Sequence, residues 1–375
     1  MYLTAGFLFY MYIFTLAGFF AYLAFRSKRK VAIFIFSAIA ILIPSIVGGL
    51  RTTKIGVDVM VYASPMANDA EAAVSFSNYM SLYDKGEVGF YFLCYYATKF
   101  GGHLNWSLFS YQLLTFACIY IGAYRYRDKP PFYWTYFVYL IVHLATTHNL
   151  MRQSIAASIV FMGLYDLEHK RYMRFSLYIL AATLFHRSAY FSFLLLLPLH
   201  WFITSDTIRK NTQLRNFLAV LLVILLTTGR QIARFILTSN ILPYIARYSG
   251  YITPPGDDNV SGGQTVLALG QLIMCFMFMN GGKRFFQSSL GDSREFEFFY
   301  FNAIFCFFWL FITKLMTRGI MYNDYAGVLL LSSLHLFVKE KYLRILVFLS
   351  VLGVLMFTFW HHLYVLKGVV YESIL

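Results

Sequence analysis

The sequence predicts an all-α polytopic integral membrane protein, with about twelve transmembrane helices and one short re-entrant or interfacial helix. Three observations predict it. Of 375 residues, 59% are hydrophobic and only 13% are charged, too few charges to cover a soluble domain of this length. Apolar runs approaching the roughly 20 residues that cross a bilayer recur along the chain. Short basic clusters punctuate those runs, as cytoplasmic turns do. Tyrosine (30) and phenylalanine (40) are abundant, which suits interfacial belts and stacking surfaces for sugar rings. The net charge of +14 would suggest nucleic acid in a soluble protein. Here basic cytoplasmic turns and contact with membrane lipid account for it, and no nucleic-acid partner is expected. Cys94, Cys118, Cys275 and Cys306 all fall in apolar runs with no metal-ligand spacing, so no metal site is expected.

The elements follow in order. Tyr2 to Phe25 lacks a basic start and is followed by Arg26-Ser27-Lys28-Arg29-Lys30, so it reads as a first span with an outer N-terminus. Val31 to Leu50 crosses back. Residues of about 51–87 form the first outer loop, and Phe90 to Phe100 is apolar but too short to span. Trp106 to Tyr124 goes in, to Arg125-Tyr126-Arg127-Asp128-Lys129. Phe132 to Thr147 goes out, and Leu150 to Leu167 returns to Lys170-Arg171. Phe175 to Phe202 is apolar except for His186-Arg187-Ser188 near its middle. Two ionisable groups in mid-hydrocarbon favour a break there, forming two helices with the turn inside the protein. That version also keeps more basic residues in cytoplasmic turns. Phe217 to Thr228, Gln264 to Met279, Phe298 to Ile312, Met321 to Val338 and Leu343 to Leu366 complete the spans, with a second outer loop at about 229–263. One transmembrane domain over residues 1–375 is expected.

The stretch Thr147-His148-Asn149-Leu150-Met151-Arg152-Gln153 joins two apolar runs. An arginine near mid-bilayer costs roughly 2.5–3.5 kcal/mol on insertion scales, a cost tolerated beside a wet cavity or an anion. At helical spacing His148 lies above Arg152 and Asn149 above Gln153, so both pairs are expected on one side of a helix. The alternative is a helix end at the membrane surface, with Arg152 reaching lipid phosphate. The topology collects further polar residues on the outer side: Arg51, Asp58 and Tyr62, then Glu87, His186 and Arg187, Arg247 in the second loop, and Arg318 one turn before Tyr322. Arg51 and Arg247 are expected nearest the surface. Arginines recognise phosphate oxygens in planar, bidentate fashion, and preorganised cations offset the charge that a leaving diphosphate gains. A carboxylate or histidine takes the proton of an acceptor hydroxyl.

Arg51…Gly56-Val57-Asp58…Tyr62, Glu87-x-Gly89-Phe90, Asn149-x-Met151-Arg152-Gln153-x-x-Ala156 and His186-Arg187-Ser188-Ala189 occur in that order. The pattern resembles the EpsG family of Wzy-like polysaccharide polymerases, over most of the chain and most strongly from Arg51 to Ala189. The resemblance implies a GT-C-type membrane glycosyltransferase in the bacterial inner membrane, its site facing the periplasm or exterior. Such an enzyme takes a glycan from undecaprenyl diphosphate and passes it to the terminal sugar of another lipid-linked repeat unit. It implies no metal, nucleotide or other cofactor, and a chain-length regulator protein as a partner. Asp58, Glu87 and His186 are the candidate bases. Glu87 could instead orient an arginine; the structural alternatives for the three are a turn cap, a helix N-terminal carboxylate and a hydrogen-bonded buried histidine. Arg51, Tyr62, His148, Asn149, Arg152, Gln153, Arg187, Arg247, Arg318 and Tyr322 are the candidate diphosphate and sugar ligands. The competing functions are a transporter of lipid-linked oligosaccharide and an O-antigen-ligase-like transferase.

Overall fold

The computed structural model describes residues 2–56, 58–83, 85–126, 131–205, a few positions between 210 and 221, 314–337 and 340–365. Those residues are nearly all helical, with no β-strand among them. The chain divides into two units, 1–190 with 331–336 and 340–375, and 191–330 with 337–339.

In the first unit, α1 (Tyr2–Arg26) and α2 (Lys30–Gly49) form an antiparallel pair. The outer loop holds α3 (Ser64–Ala72), α4 (Phe76–Met80) and α5 (Val88–Gly101). Then come α6 (Leu104–Arg125), α7 (Phe132–Asn149), α8 (Met151–Glu168) and α9 (Tyr172–Thr183). The second unit contains α10 (Phe191–Thr204) and most of α11 (Lys314–Ser333), and α12 (Lys341–Val365) belongs to the first. Among the described residues, Gly6–Arg26, Lys30–Gly49 and Leu104–Arg125 are long and apolar enough to cross a membrane. Three further expected spans and the second outer loop lie wholly or mostly outside the described residues. The expected break at His186-Arg187 is present. Helix α9 stops at Thr183, and a 3-10 turn, Arg187–Tyr190, precedes α10.

Small residues let the helices close up. A methyl at Gly122 would strike Phe161, and one at Gly163 would strike Tyr178, so α6, α8 and α9 pack at backbone distance. Helix α2 carries Pro44, which has no N–H to offer the carbonyl of Ala40. Tyr136 of α7 donates its hydroxyl to that oxygen at 3.1 Å, so the break in the ladder is filled from a neighbour. Phe359 of α12 packs edge-on to Tyr10 and Phe14 of α1.

The bundle has two chemically different ends. At one lie the α1–α2 turn with Arg26, Lys28, Arg29 and Lys30, the start of α7 against Phe25, and the Arg125–Asp166 ion pair. At the other meet the ends of α2, α7 and α9 and the starts of α5, α6 and α8. The polar residues singled out between Arg51 and Arg187 lie at this second end.

Candidate functional site at the broken helices

Helix C-termini leave carbonyls without partners, and in a bilayer each needs a donor. Here side chains supply them. Asn105 Nδ2 donates to Gly49 O at 2.6 Å, and Gln112 Nε2 donates to Thr147 O at 3.0 Å. Arg51 donates through Nη1 to Gly48 O at 2.6 Å, and through Nη2 to His148 O at 3.3 Å and Met151 Sδ at 3.3 Å. Arg51 was expected near the surface. It is 1% exposed, drawn inward by the carbonyls at the ends of α2 and α7. Gly56 explains how the loop passes so close. Its φ of +94° is in the left-handed region, and a Cβ there would lie 2.2 Å from His148 O.

The expected pairing of His148 with Arg152, and of Asn149 with Gln153, on one helix is corrected. Helix α7 ends at Asn149, Leu150 has φ −95° and ψ 59°, and α8 starts at Met151. The i,i+4 relation does not cross that break. His148 is buried, with its ring 6.4 Å from that of Tyr10, and Gln153 is buried in the first turn of α8.

Arg152 also occupies that first turn. The dipole disfavours a cation there, so a nearby anion is needed. Glu87 provides it from the 3-10 turn Lys85–Glu87 that opens α5. Arg152 Nη1 donates to Glu87 Oε2 at 2.8 Å. His186 Nδ1 lies 2.6 Å from Glu87 Oε1, and the Arg187 backbone N–H donates to the same oxygen at 3.4 Å. The Glu87, Arg152 and His186 side chains are 12%, 23% and 16% exposed, sheltered but reachable. Burial pushes the Glu87 carboxyl up. The hydrogen bond and charge of His186, then those of Arg152, outweigh it and hold the group below its ordinary value.

Two packing details fix the geometry. The Gly89 N–H donates to Leu184 O at 2.8 Å, tying the start of α5 to the end of α9. A Cβ on Gly86 would fall 1.7–2.0 Å from the Arg187 guanidinium, which therefore lies flat against the backbone of the Glu87 turn. Arg152 is also stacked: its guanidinium carbon is 4.6 Å from the Tyr62 ring centre and 5.9 Å from that of Phe90. Tyr62 comes from a π-helical turn, Val59–Ala63, that begins at half-buried Asp58. Single π turns of this kind recur at functional sites.

The structure thus brings Tyr62, Glu87, Arg152, His186 and Arg187 together, with Asp58 one turn from Tyr62. Arg318 and Tyr322 are one turn apart on α11, and Tyr322 is buried in the second unit. The Arg318 side chain and Arg247 lie outside the described residues. Cys94 and Cys118 are buried free thiols, and among the described residues no three metal-ligating side chains cluster.

The model of one family, EpsG, matches residues 34–373, nearly the whole chain and all of this cluster. The chain belongs to the EpsG family. Neither a curated protein nor a solved structure matches it. EpsG membership and the apolar helices are consistent with a membrane-embedded, glycosyltransferase-like protein with a polysaccharide polymerase-type function. Such a polymerase acts on lipid-linked oligosaccharides. In this EpsG chain, sequence reasoning missed Gly86, whose signal was only a glycine beside a singled-out glutamate. It also missed Asp69 and Tyr83. The Tyr83 hydroxyl donates to Asp69, and its ring stacks on Tyr91 at 4.9 Å, one helical turn from Glu87.

Proposed function

We propose that this chain polymerises polysaccharide outside the cytoplasm, transferring a growing glycan from undecaprenyl diphosphate to the terminal sugar of a lipid-linked repeat unit. The observation that carries the reading is the meeting of Arg152 and Arg187 with Glu87 and His186 at one end of the bundle. That end lies opposite the basic turns, which by the charge rule face the cytoplasm. A diphosphate at headgroup depth then lies level with Arg152 and the N-terminus of α8, where both the guanidinium and the dipole favour an anion. Arg187 supplies a second cation for the charge that grows as the glycosidic bond breaks. Tyr62 offers a partly exposed ring to a sugar. Arg247, Arg318 and Tyr322 are further candidates for the diphosphate and sugar. Arg51, His148, Asn149 and Gln153 border the break between α7 and α8, and Arg51 organises it. The reaction needs no metal, because guanidinium groups carry the leaving group's charge. The hydroxyl proton goes to one of Asp58, Glu87 and His186. Purified protein incubated with a lipid-diphosphate-linked repeat unit is expected to give a product ladder on a gel. Passage of intact substrate across vesicles without any extension would instead favour a transporter.

A further inference from the structure

The geometry assigns His186 Nε2 as the general base and Glu87 as the residue that positions it, an assignment that rests on the polymerase reading above. A carboxylate accepts hydrogen bonds only, so the 2.6 Å contact requires His186 to carry its proton on Nδ1. Whenever the ring is neutral, Nε2 then holds the lone pair. Among the described residues Nε2 has no hydrogen-bond partner, and the side chain is 16% exposed. It is a basic nitrogen held in one tautomer and open to a ligand. Glu87 is poorly suited to the same task. Its two oxygens already accept from Arg152, from His186 and from the Arg187 backbone.

The step balances. The acceptor hydroxyl gives its proton to Nε2 as its oxygen bonds to the anomeric carbon. The bond from that carbon to the diphosphate oxygen breaks, and the electron pair leaves with the diphosphate. The charged group in contact with the ring is Glu87 from the turn before α5; Arg152 of α8 binds the other oxygen of that carboxylate, and the Arg187 guanidinium lies at Gly86 beside it. Glu87 opposes the imidazolium that forms, while Arg152 and Arg187 take the charge of the leaving group. The carboxylate thus bridges the base and the Arg152 cation.

The test uses the full chain in lipid nanodiscs with a lipid-diphosphate-linked oligosaccharide as donor and acceptor. His186→Ala is expected to lower kcat by on the order of 10²–10⁴-fold with donor KM nearly unchanged. Added imidazole is expected to restore part of that loss. His186→Gln keeps a hydrogen bond to Glu87, stays folded and is expected to be as inactive. Glu87→Gln is expected to lower kcat by on the order of 10²-fold or more without rescue by imidazole, and Glu87→Asp to recover part of it. A His186→Ala protein that retains more than about a tenth of kcat, or whose loss imidazole does not touch, overturns the assignment and leaves the polymerase reading standing. A wild-type protein that extends no such glycan removes that reading, and the assignment with it.

Discussion

Each end of the bundle holds a carboxylate between two arginines, and the two are built differently. Asp166 is 1% exposed, with Arg125 Nη2 at 2.7 Å and Arg171 Nη1 at 3.6 Å. Arg125 also donates to Met162 O at 2.8 Å and lies 4.8 Å from the centre of the Tyr165 ring. The Arg171 N–H donates to Asp166 O at 2.8 Å. Every one of these groups sits on continuous helix or on the tight turn after α8. Glu87 sits instead among three chain breaks: its own 3-10 turn, the Leu150 kink and the gap after α9. One of its partners is a titratable ring with an open nitrogen, and another arginine lies across a glycine beside it. Buried carboxylate–arginine pairs contribute little net stability but cost much when halved. The Asp166 cluster therefore reads as a clamp between α6, α8 and α9. The Glu87 cluster, with a more exposed carboxylate and less regular backbone, reads as a place where something else binds.

Perturbing both ends sharpens the contrast. The largest expected effect is on chemistry. Arg187→Ala and Arg152→Ala should each lower chain extension by about 10²-fold or more, with insertion and solubilised yield retained. Next is stability at the other end. Asp166→Ala leaves Arg125 without its carboxylate and should cost about 3 kcal/mol, read as a lower Tm, while extension per folded molecule is kept. Gly86→Ala is intermediate and diagnostic. The added methyl meets the end of a flexible Arg187 side chain, so Tm should hardly move while extension falls by about tenfold as that guanidinium is displaced. If Gly86→Ala lowered Tm and spared activity, the two ends would not differ as described.

The smallest effect is on pH dependence. The folded-state pKa of Glu87 is lowered, so its contribution to stability is present above the ordinary carboxyl value and is lost as pH falls through the folded one. The Tm difference between wild type and Glu87→Gln should be steady from about pH 7 to 5 and shrink below about pH 4. A difference that vanished between pH 7 and 5 would mean the carboxylate is not held by its cations.

The helices of the first unit were legible because long apolar runs with basic ends leave little choice of boundary. Val31 to Leu50 became Lys30–Gly49, and Trp106 to Tyr124 became Leu104–Arg125. The break at His186-Arg187 was also legible, since two ionisable groups inside one hydrocarbon run are costly. A turn between Thr147 and Leu150 was expected as well, but its sharpness, with Leu150 alone between two helices, was not legible. No glycine or proline marks it, and it follows from carbonyls being taken up by Arg51 and Gln112, residues far away in sequence. For the same reason Arg51 was expected nearer the surface, as a candidate diphosphate ligand, and not as the donor to those carbonyls. Glu87 was singled out as a base or as a partner that orients an arginine, and it contacts Arg152. Its shared grip on Arg152 and His186 joins residues 65 and 99 positions away, a relation no local pattern encodes.

The central claim is that the arginines at the broken helices, and not those of the basic turns, grip the diphosphate. The most direct measurement is product length from a lipid-diphosphate-linked repeat unit, comparing wild type, Arg187→Ala and Arg171→Ala at equal folded protein. The account predicts ladders from wild type and Arg171→Ala and a single unextended band from Arg187→Ala. A full ladder from Arg187→Ala would contradict it.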